Sequence, residues 1–169
     1  MKTTTPDQEH SARAIGRSLP VSTKACVETC RSLRHKKTAE AKKLLEQVIA
    51  KKKAIPFRRF HSGLSHKKEV GQGRYPLKSS LELLRLIESA EANAQFKGLA
   101  TANLEITHIA AHQASRPFRF GRKRQRRAKR TTIEIIVAER RQQGNEKKEE
   151  KMKGPKKTAP SVQEKEKHD

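Results

Sequence analysis

The stretch 116–130 contains nine Lys or Arg and no Asp or Glu, and it lies between two strand-like runs at 104–114 and 131–138. No packed core accepts such a segment, because each buried unpaired cation costs several kcal/mol. The fold must therefore carry it outside, as the far end of a β-hairpin, and something anionic must relieve its self-repulsion. Seven of the nine cations are arginine: Arg116, Arg119, Arg122, Arg124, Arg126, Arg127 and Arg130, with Lys123 and Lys129 completing the set. Arginine offers a rigid planar fork that chelates phosphate and stacks on bases. Phe118 and Phe120 are interleaved with these cations and suit stacking on unpaired bases.

The whole chain repeats this bias. Forty Lys and Arg stand against 18 Asp and Glu in 169 residues, a formal net charge of +22. Nucleic acid is the default partner for such an excess. An anionic membrane is the rival, but no apolar run approaches the ~20 residues that span a bilayer. The N-terminus lacks the zones of a signal peptide, and Asp7 and Glu9 argue against a transit peptide. Only 33% of residues are hydrophobic and there is no Trp. The expected core is small, built from Leu, Ile, Val and Ala, and gains stability from its partner by mass action.

Along the chain, 1–10 is polar and expected to be loose. Residues 11–19 form a short strand with Arg13 and Arg17 on one side, ended by Pro20. Ser22 is the expected N-cap of a first helix, with Val21 stapled to Cys26 and Cys26, Val27, Cys30 and Leu33 as its apolar stripe. Residues 35–37 link it to a second helix, for which Thr38 is the expected N-cap. Ala41, Leu44, Leu45, Val48 and Ile49 follow at amphipathic spacing, and 51–53 close the helix with three lysines. Residues 54–76 hold three glycines, two prolines and many cations and predict a long RNA-contacting loop. A third helix is expected over 77–96, with Leu81, Leu83, Leu84, Ile87, Ala90 and Ala94 inward and Gly98 as a left-handed cap. In 131–138, Ile133, Ile135 and Val137 alternate with Thr132, Glu134, Ile136 and Ala138. After 140 the composition is that of a charged, disordered tail, 141–169.

The fold class is thus α+β: three helices packed on a small three-stranded antiparallel sheet, with a long protruding basic hairpin over 104–138. Residues 11–140 form one RNA-binding domain. No chemistry of another kind emerges. His108 and His112 lack an HExxH frame, and the glycines at 63, 71 and 73 precede no G-K-[ST]. There is no G-x-S-x-G elbow. Cys26 and Cys30 lie four apart on a helix and are expected to be reduced core thiols. The sequence predicts no enzyme, no cofactor and no metal. The basic segment supplies many phosphate contacts and few groups suited to base edges, so specificity is expected to come from RNA shape.

The order of parts, with several local strings, resembles one family. Ala14-Ile15-Gly16-Arg17 and Val21-Ser22-Thr23-Lys24-Ala25 stand at the entry into the first helix. Ile55-Pro56-Phe57-Arg58-Arg59-Phe60 and Gln72-Gly73-Arg74-Tyr75-Pro76 stand in the loop. Glu91-Ala92-Asn93-Ala94-Gln95-Phe96-Lys97-Gly98-Leu99 closes the long helix. Phe120-Gly121-Arg122 and Thr132-Ile133-Glu134-Ile135 fit a hairpin tip and its returning strand. Over about 6–139 the chain is similar to large-subunit ribosomal protein twenty-two, seventeen in eukaryotic numbering, in its archaeal form.

The resemblance implies a cytoplasmic structural constituent of the large ribosomal subunit. Its globular part would sit on ribosomal RNA near the mouth of the peptide exit tunnel, beside neighbouring ribosomal proteins. The tip, Phe120, Gly121 and Arg122, would face the tunnel and the nascent polypeptide, and assembly would depend on the protein. Contacts to the RNA are expected from Arg13, Arg17, Lys24, Arg58, Arg59, Arg74 and Tyr75 and from the hairpin cations and phenylalanines above. No homo-oligomer is expected. The first hairpin limb, 114–120, is a few residues shorter than the family's. His35 stands where the family often has glycine, and a left-handed cap there costs about 1 kcal/mol. From residues alone, a free-standing nucleic-acid architectural protein and an RNA-processing enzyme are the alternatives.

Overall fold

The computed structural model describes residues 10–139. The expected loose N-terminus, His10 apart, and the expected charged tail 141–169 lie outside the described residues. Three helices, α1 (Thr23–Leu33), α2 (Thr38–Ile49) and α3 (Leu77–Phe96), pack on an antiparallel sheet. Its strands are β1 (Ser11–Leu19), β5 (Leu104–Gln113) and β6 (Thr131–Glu139), in the order β1-β6-β5. The α+β expectation holds.

β6 is central, and its alternation decides the layering. Ile133, Ile135 and Val137 are fully buried under the helices, while Thr132, Glu134 and Ile136 are only half-buried. β5 adds Leu104, Ile106 and Ile109 to the same face, with a register shift between Ile106 and His108. The core residues of β1 that face α3 are small, Ala12, Ala14 and Gly16, so α3 can lie close across it. A Cβ on Gly16 would stand 2.8 Å from Leu19 Cδ1 and 2.9 Å from Leu86 Cδ1. The α3 side of this contact is Leu83, Leu86, Ile87, Ala90 and Ala94. α3 also reaches the free edge of β1: Asn93 Nδ2 donates to Arg13 O at 2.9 Å and Lys97 Nζ to Ser11 O at 2.9 Å. Covered edges do not template aggregation.

Five local expectations need correction. The inward face of α3 is rotated: Leu81 is exposed and Leu84 half-buried, while Leu86 takes the core position. On α1, Val27 is half-buried and Glu28 and Thr29 are buried with Cys26, Cys30 and Leu33. Ser22 is the α1 N-cap, but its side chain makes no capping bond. Thr38 is the first helical residue of α2, with Lys37 at the N-cap. The supposed loop 54–76 contains a second small sheet, β2 (Ile55–Pro56), β3 (His66–Lys67) and β4 (Gly71–Arg74), ordered β2-β4-β3. Gly73 is required there, since a Cβ would meet Ile55 O at 2.9 Å.

The helix ends follow the chemistry expected of them. Gly98 is left-handed, with Leu99 N bonded to Ala94 O at 3.0 Å and Gly98 N to Gln95 O at 2.9 Å, the Schellman arrangement. α2 ends the same way with Lys51 in the left-handed position. His35 has φ 56°, so the strain expected at the end of α1 is present. Its N–H donates to Ile106 O at 3.0 Å and Ile106 N donates to Lys36 O at 3.0 Å, tying the link to the outer edge of β5.

The rotated α3 face is testable by thermal denaturation of the full chain. Leu83→Ala is expected to cost about 2–5 kcal/mol, as a fully buried large-to-small change. Leu81→Ala is expected to stay within about 0.5–1 kcal/mol. Equal losses from the two would place both on the core face.

Candidate nucleic-acid interface

Two basic elements project from this body, and each is held by a buried polar tie. The first is the turn after β2. Glu28 on α1 is 1% exposed, and its Oε1 accepts N–H bonds from Arg59 at 2.7 Å and Phe60 at 3.0 Å. Burial works against ionisation of this carboxyl. The N–H groups of Arg59, Phe60 and Arg58 outweigh it and hold the pKa below the ordinary glutamate range. The charge therefore persists, and the backbone of 58–60 is clamped with the Arg58 and Arg59 side chains outward. Lys24 Nζ stands 5.5 Å and Arg59 Cζ 5.4 Å from the Phe60 ring centroid. Lys24 from α1 and the adjacent pair Arg59 and Phe60 thus share one cationic platform.

The second element is the hairpin arm beyond Gln113 and Thr131. Ala114 N donates to Arg130 O at 3.1 Å, Ala128 N to Pro117 O at 2.9 Å and Arg119 N to Arg126 O at 2.8 Å. Only Phe118 and Arg127 form a ladder bridge, and a 3-10 turn at Gly121–Lys123 closes the end. Pro117 has no N–H to give a ladder, which leaves the pairing irregular. The base is pinned by Thr131, which is fully buried. Its Oγ1 donates to Val21 O at 3.0 Å and pairs with Thr23 Oγ1 at 2.9 Å. Arg130 Nη1 donates to Ser18 O at 3.0 Å, in the bulge where Ser18 has φ 53°.

The expected contact residues fall into distinct groups. Arg116, Phe118, Arg119, Phe120, Arg122, Arg124, Arg126, Arg127 and Lys129 are exposed, Arg130 is half-buried, and Lys123 lies in the turn beside Gly121. Phe118 is not a bare platform, because Arg127 Cζ lies 4.8 Å from its ring centroid. Tyr75, Arg119, Lys129 and Arg130 meet in one cleft. Arg74 is exposed on β4. Arg13 and Arg17 are exposed on β1, but Arg13 Nε is engaged by Glu134 Oε1 at 2.9 Å. The sequence reading missed Phe60 as the organiser of its patch, and also Glu28. A single Glu on an amphipathic helix looks solvent-facing, and its partners lie 31 and 32 residues away.

Other chemistry is poorly supplied. Cys26 and Cys30 are free and buried. Burial raises both thiols, Cys30 to about 12, so neither is a thiolate at neutral pH. Among the described residues, no group of three or more His, Cys, Asp or Glu could hold a metal ion. No helix among them is long and apolar enough to cross a membrane.

Residues 14–138 match the family described as ribosomal protein L22p/L17e. The large ribosomal subunit protein uL22 of Staphylothermus marinus is 42% identical over 142 residues, covering 78% of this chain and 90% of that protein. The uL22 of Methanoculleus marisnigri is 41% identical over 141 residues, covering 79% and 92%. That of Archaeoglobus fulgidus is 39% identical over 139 residues, covering 78% and 90%.

The Glu28 clamp predicts a pH dependence. A carboxylate whose folded pKa is lowered contributes stability above its unfolded value, ~4.3. That contribution disappears as pH falls through the lower folded value. Glu28→Gln is expected to lower stability at neutral pH and to make the acid side of the stability profile shallower. Denaturation of both proteins between about pH 7 and pH 3 tests this. Parallel profiles would show that the clamp carries no charge-dependent stability.

Proposed function

The chain belongs to the ribosomal protein L22p/L17e family, in its archaeal form, and is a structural constituent of the large ribosomal subunit rather than an enzyme; on that premise we propose that it binds large-subunit ribosomal RNA, supports assembly, and helps form the peptide exit tunnel through its hairpin arm. The observation that carries the reading is the arm's nine cations, held outside the core by a buried threonine at its base. Apart from half-buried Arg130, the described cations of the arm are exposed rather than packed into the core. Its charge is neutralised when phosphates surround it.

The two basic elements serve different parts of this task. The Phe60 platform is rigid and lies on the globular body, so it suits docking on the RNA surface. The arm is attached at one end only and suits penetration between RNA segments. Its 3-10 turn brings Phe120, Gly121 and Arg122 to the far end, where a tunnel wall and a passing nascent chain would meet them. Gly121 has φ 78°, a conformation that favours glycine. Neighbouring ribosomal proteins near the tunnel exit are the expected protein partners.

Reversing Arg122, Arg124 and Arg127 to Glu tests the arm. The isolated protein is expected to keep its melting temperature, because all three side chains are exposed. Subunits made with it are expected to assemble poorly or to show a displaced tunnel wall in a density map. Normal subunits carrying the reversed protein would overturn the proposal. The unaltered protein is expected to co-sediment with large subunits at moderate salt and to be released at high salt.

A further inference from the structure

We propose that the cleft between the N-terminal ends of α1 and α3 and the base of the arm receives one extruded nucleotide of single-stranded RNA. Its phosphate would lie at the helix ends and its base against Tyr75. The proposal rests on the RNA-binding reading above and gives it a defined site. The cleft has a volume of about 540 Å³, within the ~300–1,000 Å³ of sites that enclose small ligands. A flat phosphate-binding surface would need no such hollow.

Its lining is divided in character. Lys78, Arg119, Lys129 and Arg130 supply four cations from two separate elements, and none of the described lining residues is acidic. Four like charges around one hollow repel one another until an anion enters. Both helices that open onto it also turn their positive ends there. Neither α1 nor α3 has an acidic residue in its first turn, and neither has a side-chain capping bond. First-turn N–H groups lack intrahelical acceptors and favour an anion. The same lining holds the apolar residues Val21, Ala25, Leu77 and Ala128 and the half-buried Tyr75. The lining thus holds groups suited to a phosphate and groups suited to a base.

This pairing selects among RNA forms. A base inside a duplex is stacked and offers only its edges, whereas loops and bulges splay bases out. An aromatic wall beside cations is the pattern of single-strand recognition, with stacking and phosphate contact combined. The site joins parts far apart in sequence: residues 20–25, 75–79 and 119–130. Occupancy would therefore also fix the base of the arm against the helices.

Tyr75 provides its own probe, since it is the only Tyr in a chain without Trp. The full chain is titrated with a short single-stranded uridine oligonucleotide and, separately, with a duplex of equal length. Tyrosine emission is followed beside the anisotropy of labelled RNA, with free tyrosine amide correcting for absorption. Saturable quenching by the single strand, at the same midpoint as the anisotropy change, is the expected result. Tyr75→Leu is expected to weaken single-strand binding about fivefold or more, the loss of one stacked base, and to leave duplex binding unchanged. Arg119→Gln combined with Lys129→Gln is expected to shift the quenching midpoint in the same direction. Binding by anisotropy without quenching would overturn the nucleotide site while leaving RNA binding in place. Equal quenching by the duplex would overturn its single-strand character. No binding by either signal would remove both readings.

Discussion

The close approach of α3 to β1 and β6 is the contact on which the rest of the structure depends. A chain without Trp and with few buried aromatics has little volume with which to fill a core. It compensates by bringing backbones together. Ala12, Ala14 and Gly16 on the strand face Ala90, Ala94 and the larger Leu86 and Ile87 on the helix. A Cβ at Gly16 would press on the Cδ ends of Leu19 and Leu86. Leucine and isoleucine from α1, α2, β5 and β6 then close around this seam. The Lys42–Glu91 ion pair fastens α2 to α3 at its margin.

Buried polar ties join the basic elements to this body, and at the turn after β2 Ile55 and Phe57 also pack against Val48. Glu28 holds the turn at 58–60, and Thr131 holds the base of the arm to the start of α1. Burying such groups is costly unless they are hydrogen-bonded; Thr131 Oγ1 is bonded, and Glu28 is bonded through Oε1 but not through Oε2. The ties serve a chain whose cations cannot be placed by packing: long charged side chains would repel one another and scatter, but a clamped backbone fixes where they start. The left-handed His35 belongs to the same economy of means. Its strain, about 1 kcal/mol, is offset by two backbone bonds that seal the outer edge of β5.

The elements legible in the sequence were those with long, uninterrupted periods. β1, α3 and β6 carry enough repeats for their type to be unambiguous, and their bounds agree to a residue or so. What was hidden depends on distant partners. The strands β2 and β3 have two residues each, and β4 has four with two glycines, so no period of two can emerge. The inward face of α3 was misjudged because Leu81, Leu83, Leu84 and Leu86 are equally apolar. The crossing over Gly16 decides which of them is covered. Glu28 and Thr131 look like ordinary surface residues until residues 31 and 110 positions away are brought to them. At the interface, composition revealed the arm's cations but not the groups into which the fold sorts them.

That sorting gives the aromatic residues a role beyond stacking. Phe60 is flanked by Lys24 and Arg59, Phe118 by Arg127, and Tyr75 by Lys67 at 5.9 Å. A cation over a ring is held by about 0.5–1 kcal/mol at an exposed site, too little to lock it and enough to bias its position. On the proposed RNA-binding reading, each ring would keep a cation near its final place before RNA arrives. The ring would then yield one face to a base while the cation moved to the adjoining phosphate. Such an exchange would reduce the entropy lost on binding, because the guanidinium or ammonium is already partly ordered. Phe120, 97% exposed, carries no such cation among the described residues. It sits beside the closing turn of the arm, where the proposed neighbour is a tunnel wall and a moving peptide. A ring left bare there presents apolar surface to whatever passes, without a fixed charge to hold it.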